Sequence, residues 1–279
     1  VSLLEIVAIT LAGVGAGTIN AIVGSGTLVT FPTLLVLGYP PLVANMSNSV
    51  GLLPGGLAGA YGYRREIAAH RPLVRRLVPP AVLGGAVGGL LLLVLPSAVF
   101  GAVVPVLVLF GLVMVAVGPR IQRASAARAA RRAAEAEAAE VGGAHAASAA
   151  RDERRDAATH PLLVPVVAFL TGIYGGYFGA AQGIILVGLL SLLLPVSLQS
   201  INGVKNVVVP LVNLVSGLLF MALRWSEISW GAVLCIGVGS ALGGLLGSSI
   251  GRRLSPNVLR AVIIIVGSVA LARLLLFPA

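Results

Sequence analysis

"AGVGAGTINAIVGSG" fills residues 12–26, and "TGIYGGYFGAAQGII" fills residues 171–185. Aligned without a gap, they match Gly13 to Gly172, Gly17 to Gly176 and Gly24 to Gly183. Each lies at the centre of a longer apolar stretch, near 4–37 and 162–194 respectively. About 33 residues would make a helix of roughly 50 Å, against a hydrocarbon core of about 30 Å. That is too long for one crossing and short for two crossings with a turn between them. A helix broken or re-entrant at its glycine-rich middle fits both lengths, and such breaks are how transporters build sites inside the bilayer.

The surrounding composition agrees with a membrane setting. Of 279 residues, 58% are hydrophobic and 10% charged, where a soluble domain carries about a quarter charged. Uncharged runs extend over Ile6–Tyr63, Leu77–Pro119 and Ile228–Gly251, and from Pro161 to Leu223 the sole charge is Lys205. These runs are continuously apolar rather than alternating, which selects helices over a barrel. Thirty-six glycines recur in small-xxx-small pairs such as Gly55/Gly59, Gly84/Gly88, Gly239/Gly243 and Gly247/Gly251, the spacing that lets membrane helices approach closely. The fold expected is an all-α polytopic membrane protein.

Further matches follow the first in the same order. "ANMSNSVGLLPG" (44–55) parallels "NGVKNVVVPLVN" (202–213), "RREI" (64–67) parallels "WSEI" (225–228), and "GGAVGGLLL" (84–92) parallels "GSALGGLLG" (239–247). The sequence therefore reads as two homologous halves of about four helices each, 1–119 and 161–279, each opening with a glycine-broken or re-entrant helix. Helices are expected near 42–62, 73–95, 99–118, 201–223, 229–251 and 257–277. The arginines stand beside the ends of the apolar runs, as cytoplasmic flanks do, so the +10 net charge is read as orientation and not as nucleic-acid binding. Their placement fits parallel and inverted halves about equally. Between the halves, residues 120–160 mix arginine, acids and alanine, as in "RAARRAAEAEAAE". This stretch reads as a solvated, partly helical cytoplasmic linker, and loop 64–76 is placed on the same side. The chain's start lacks a basic segment and a cleavage site, so its first apolar stretch is expected to be retained. Cys235 is expected to be a small packing residue.

Enzyme chemistry finds no support in these residues. "GSSIG" (247–251) fits G-x-S-x-G, but no Asp, Glu or His follows Ser249 to complete a triad,. No paired intramembrane carboxylate, metal-ligand spacing or Walker sequence is present, so neither a metal nor a cofactor is implied. Lys205 is different. It is the single lysine beside eighteen arginines, and a charge within the bilayer costs at least about 2.5–3.5 kcal/mol, so such groups usually face a cavity and serve function. The bland alternative is a lysine that snorkels to the headgroups. Its neighbours Asn202, Asn206 and Asn213, and the cluster Asn45, Ser47, Asn48 and Ser49 at the matching place, are not needed for snorkelling. Asn45/Asn48 and Asn202/Lys205 stand three apart and share helix faces.

These residues outline a site for a small anion. Lys205 would supply counter-charge, with Asn206, Asn202, Asn45, Asn48 and Ser47 as orienting groups. Asn20, Ser25, Thr27 and Gln182 would line the same space. Backbone N–H groups at Gly24, Gly26, Gly179 and Gly183 would cradle the anion at helix N-termini. A cation would call for acids, and Glu5, Glu66 and Glu227 lie at span ends instead. An amine that can gain and lose a proton would also allow a coupling proton or ion.

"GAGTINAIVGSGTLVTFP" (15–32), "ANMSNSVGLLPG" (44–55), "LQSINGVKN" (198–206) and "GSALGGLLGSSIGRRLSPNVLRAVIIIVG" (239–267) resemble the TauE/SafE sulfite exporter family. The resemblance covers nearly the whole chain outside 120–160, and departs from the usual consecutive glycines at "VGSG" (23–26). It implies a multi-pass protein of the cell membrane that moves sulfite, sulfonates or related small anions, most simply as a secondary exporter. A passive anion channel and a non-transporting scaffold remain the alternatives. The oligomeric state is left open, a homo-oligomer included.

Overall fold

A computed structural model describes residues 2–141, 162–194, 196–250 and 256–276. The remainder of the expected linker, with His145 and His160, lies outside the described residues. Helix is the one regular structure among those described, apart from a single 3-10 turn at Trp225–Glu227.

The first opening stretch is two helices, α1 (Leu3–Ile22) and α2 (Thr27–Val36), separated by a break at 23–26. Ser2 and Glu5 start α1 with a reciprocal capping box, which satisfies two of the N–H groups every helix start leaves free. The second opening is likewise broken, into α8 (Leu163–Tyr177) and α9 (Gln182–Leu193). Both expected breaks are therefore present, and neither helix of either pair exceeds 20 residues.

The stretch expected as one helix over 42–62 is α3 (Pro41–Gly51) and α4 (Leu53–Gly62), joined at Leu52. Pro54 causes the joint, because it has no N–H to offer the carbonyl of Val50. Helical bonding continues on both sides, from Leu52 N–H to Asn48 O at 2.9 Å and from Gly56 N–H to Leu52 O at 3.0 Å. A short α5 (Arg64–Ala69) leads into α6 (Arg71–Val94), and α7 runs from Ser97 to Val141. At 45 residues α7 would measure roughly 67 Å, about twice the bilayer core. The described part of the arginine-rich stretch, 120–141, is thus a continuation of that helix. After the second break come α10 (Leu198–Arg224), α11 (Trp230–Ile250) and α12 (Pro256–Leu276). Among the described residues, six helices are long and apolar enough to cross a membrane: α1, α6, the first part of α7, α10, α11 and α12.

The apolar residues are distributed as a bilayer requires. Leu11, Leu83, Leu218 and Leu242 are exposed, while Asn45, Asn48, Gln182 and Lys205 are buried. Two close helix pairs organise the interior. Helix α1 packs along α11, and α8 packs along α6. A Cβ on Gly13 would lie 3.2 Å from the Cα of Gly239, and one on Gly176 would lie 2.9 Å from the Cα of Gly85. Glycine is what lets these backbones touch. Each opening helix therefore lies against a helix from the other side of the arginine-rich stretch, and the pairs bring the two breaks together in the interior. Ser249 sits within α11, its hydroxyl donating back to Leu245 O; no strand-to-helix elbow surrounds it. Cys235 is half-buried on the same helix.

Candidate functional site

Both breaks are built from the same local device. After α1, the N–H groups of Val23 and Gly24 both donate to Ile19 O, at 2.7 and 3.0 Å. After α8, Phe178 and Gly179 both donate to Tyr174 O, each at 3.0 Å. Gly24 has φ 88° and Gly179 has φ 76°, the left-handed conformation that ends helices and that glycine adopts without a Cβ penalty. The gapless alignment had paired Gly24 with Gly183. In local geometry its counterpart is Gly179, because α1 carries one more turn than α8 before its glycine.

Gly183 has another part. It sits in the first turn of α9, and its N–H donates to Gly24 O at 3.1 Å. A Cβ on Gly24 would lie 2.8 Å from the Gly183 Cα, and one on Gly183 would lie 2.7 Å from the Gly24 Cα. The two breaks thus cross at these glycines. Phe31 on α2 and Phe178 in the second break pack edge to face with centroids 5.1 Å apart.

Lys205 reaches this crossing from α10. Its side chain is 1% exposed, so it does not snorkel. Its Cδ would lie 2.9 and 3.0 Å from a Cβ on Gly24 and Gly183, so the stem runs past both. The ammonium donates to Asn20 O at 3.0 Å and Ala21 O at 3.1 Å, and Asn206 Nδ2 donates to Ala21 O at 3.2 Å. These carbonyls belong to the last turn of α1, which the break leaves without N–H partners. The negative end of the helix dipole also favours a cation there. Lys205 is thus a helix cap first, and two of its three N–H groups are taken by that role.

On the other side, Asn45 of α3 donates from Nδ2 to Tyr177 O, the last residue of α8, at 3.0 Å. Asn48 is turned elsewhere. Its Nδ2 donates to Thr27 Oγ1 at 3.3 Å, and its Oδ1 accepts a short bond from Thr30 Oγ1, tying α3 to the first turn of α2. Ser47 leaves the group altogether, accepting from Ser229 N–H at 2.9 Å just before α11. Asn202 is half-buried one turn before Lys205. Asn20 contributes its carbonyl to the lysine. The expected backbone cradle is largely committed within the protein, since the N–H groups of Gly24, Gly179 and Gly183 already have acceptors. Gly26 serves instead as N-cap of α2, packed so closely that a Cβ would lie 3.1 Å from Asn20 Cβ.

Three expected residues keep a buried polar atom without a partner, and the first is Asn45 at Oδ1. Ser25 is 1% exposed and its Oγ has no partner; Gln182 is fully buried and neither its Nε2 nor its Oε1 has one. Ser25 follows Gly24 and Gln182 precedes Gly183, so both flank the crossing. Buried polar groups are normally paired, and the exceptions ask for an explanation. A ligand is one.

Residues 9–274 match the sulfite exporter TauE/SafE family. The chain belongs to that family. Relatives include a "Probable membrane transporter protein" of Haemophilus influenzae, 24% identical over 262 residues, covering 94% of this chain and 91% of that protein. Another is "Probable membrane transporter protein ORF9" of Sinorhizobium sp, 26% identical over 278 residues, covering 94% and 89%. No solved structure matches. In this TauE/SafE member the second break holds residues that sequence reasoning missed. Tyr174 donates its hydroxyl to Ala180 O at 2.6 Å, and Ala181 takes a left-handed φ of 59°. Neither carries a sequence signal, because the first depends on how the loop returns and the second on a residue that rarely adopts that conformation.

Proposed function

We propose that this chain is a secondary transporter for a small anion, such as sulfite, an organosulfonate or a related carboxylate, acting as an exporter in the cell membrane. Membership of the sulfite exporter TauE/SafE family and relatives named as probable membrane transporters support the membrane-transport part of this reading. The observation that carries the anion is the crossing of two broken helices around a buried ammonium. Helix starts at Thr27 and Gln182 lie beside it, and helix N-termini favour negative charge. The ammonium caps the end of α1 and the Asn45 amide caps the end of α8, so the crossing carries one full positive charge. Residues 1–119 and 161–279 act in this reading as two repeats, each supplying one break, with 120–160 and 64–76 on the cytoplasmic side.

Proteoliposomes loaded with labelled sulfite test the proposal. Efflux should depend on the protein and respond to an imposed pH gradient, and Lys205→Met should abolish it while the variant still purifies as a folded species. Gradient-independent flux would identify a passive channel instead. Unchanged efflux in the lysine variant would remove the crossing from the pathway. Absence of flux for every small anion would leave the scaffold reading.

A further inference from the structure

Away from the crossing, two arginines from different helices stand together, and what they imply does not depend on the anion reading above. Helix α12 packs along α7. A Cβ on Gly267 of α12 would lie 2.6 Å from Leu112 Cδ2 of α7, and Arg260 of α12 stands near enough to Arg123 of α7 for their charges to repel. Residue numbers climb from 112 to 123 on one helix as they fall from 267 to 260 on the other, so the two run antiparallel. Both arginines therefore lie where α7 leaves its apolar part, Ser97–Ile121, and where α12 starts at Pro256. That is the level of the lipid headgroups.

An arginine at a span end usually extends into headgroup water with every N–H free. Arg260 does not. Its Nε is enclosed without a partner, and its Nη1 donates to Asn257 Oδ1 at 3.2 Å. The guanidinium is thus fixed against the protein with Nη2 as its free end. Arg123 is exposed, and neither arginine has an ion pair among the described residues. Two like charges are held together, one of them in the opening turns of a helix, where the dipole disfavours a cation. An anion set against Nη2 of Arg260 and the Arg123 guanidinium relieves both costs, and a phosphate matches the planar donor geometry of arginine.

We infer that Arg123 and Arg260 together seat the phosphate of an anionic phospholipid between α7 and α12. The flanks favour a lipid over a free ion. Ala116 and Leu109 share the face of Arg123 on α7, Ile264 lies one turn beyond Arg260 on α12, and all three are exposed, so acyl chains can lie along both helices beneath the headgroup. Basic pockets between membrane helices are suited to anionic headgroups for the same reason.

Native mass spectrometry of the full chain in detergent tests this. The probes are phosphatidylglycerol and phosphatidylcholine of the same acyl chains, with inorganic phosphate as competitor. Phosphatidylglycerol should bind at least about tenfold tighter than phosphatidylcholine, whose choline cancels the phosphate charge. Arg260→Gln should weaken its binding about tenfold, the scale of one charge-assisted hydrogen bond. Arg123→Gln should weaken it about two- to fivefold, as an exposed charge does. Arg75→Gln, which removes an exposed arginine from α6, should leave binding unchanged. Arg260→Lys serves if the glutamine variant does not elute as a single species; it keeps the charge, lacks the planar fork, and should still weaken binding. Equal affinity for the two lipids, or equal losses in the Arg75 and Arg260 variants, overturns the inference, because either means diffuse attraction to a basic end. Displacement of the lipid by inorganic phosphate overturns it too and makes a free oxyanion the occupant.

Discussion

At the first break the last turn of α1 receives an ammonium and an amide, from Lys205 and Asn206; at the second, the last turn of α8 receives one amide, from Asn45. The backbone device beneath is the same in both, with paired N–H groups closing on one carbonyl and a left-handed glycine. What differs is the cap. In each case the cap comes from a helix on the other side of the arginine-rich stretch. A neutral amide is enough to satisfy a buried helix end, so capping alone does not require a lysine. The positive charge is a property of the first break only, and the crossing as a whole inherits it.

Removing that charge should have the largest effect. Lys205→Met is expected to reduce anion flux roughly a hundredfold, the scale of losing one donor from a preorganised anion site. It should also cost about 1–3 kcal/mol of stability for carbonyls left buried and unpaired. Flux assays and thermal unfolding in detergent read the two separately. Gly183→Ala comes next. Its Cβ would meet the Gly24 Cα at 2.7 Å, and backbone cannot swing aside, so a loss of about 3 kcal/mol is expected from overpacking. A normal melting temperature would mean that the breaks do not touch.

Asn45→Ala tests the neutral cap. It strips the second break of its one side-chain partner at Tyr177 O, and about 1–2 kcal/mol should be lost. Flux should fall far less than in the lysine variant. Equal losses of flux would erase the distinction between the breaks. The smallest effect runs the other way. Ala181 adopts φ 59°, a conformation that costs a non-glycine residue about 1–2 kcal/mol. Ala181→Gly should therefore raise stability by roughly 0.5–1 kcal/mol, after the extra freedom glycine has in the unfolded chain.

The fold was readable from particular residues because length and glycine density act over whole segments. Stretches near 33 residues with central glycines fit a break on arithmetic alone, and both breaks are there. Register within a break is set by small differences in helix length, 20 residues in α1 against 15 in α8, which periodicity does not report; hence the alignment pairs Gly24 with Gly183 and not with Gly179. The joint at Leu52 has its signal in Pro54, but the apolar run continues through it and reads as one helix. At the site, residue types pointed to the right neighbourhood for Lys205, Asn206, Ser25 and Gln182. Partners did not follow from type. Asn45, Ser47 and Asn48 share one short segment, yet they serve Tyr177 O, Ser229 N–H and the start of α2. Which way an amide turns depends on elements more than a hundred residues distant.

The placement of α1 against α11 and of α8 against α6 bears on how the molecule is held together. The stretch before residue 120 packs its first helix against a helix of the stretch after residue 160, and the reverse holds as well. Separating them would mean drawing two rods out of fitted grooves inside lipid, with their glycine contacts and both caps lost together.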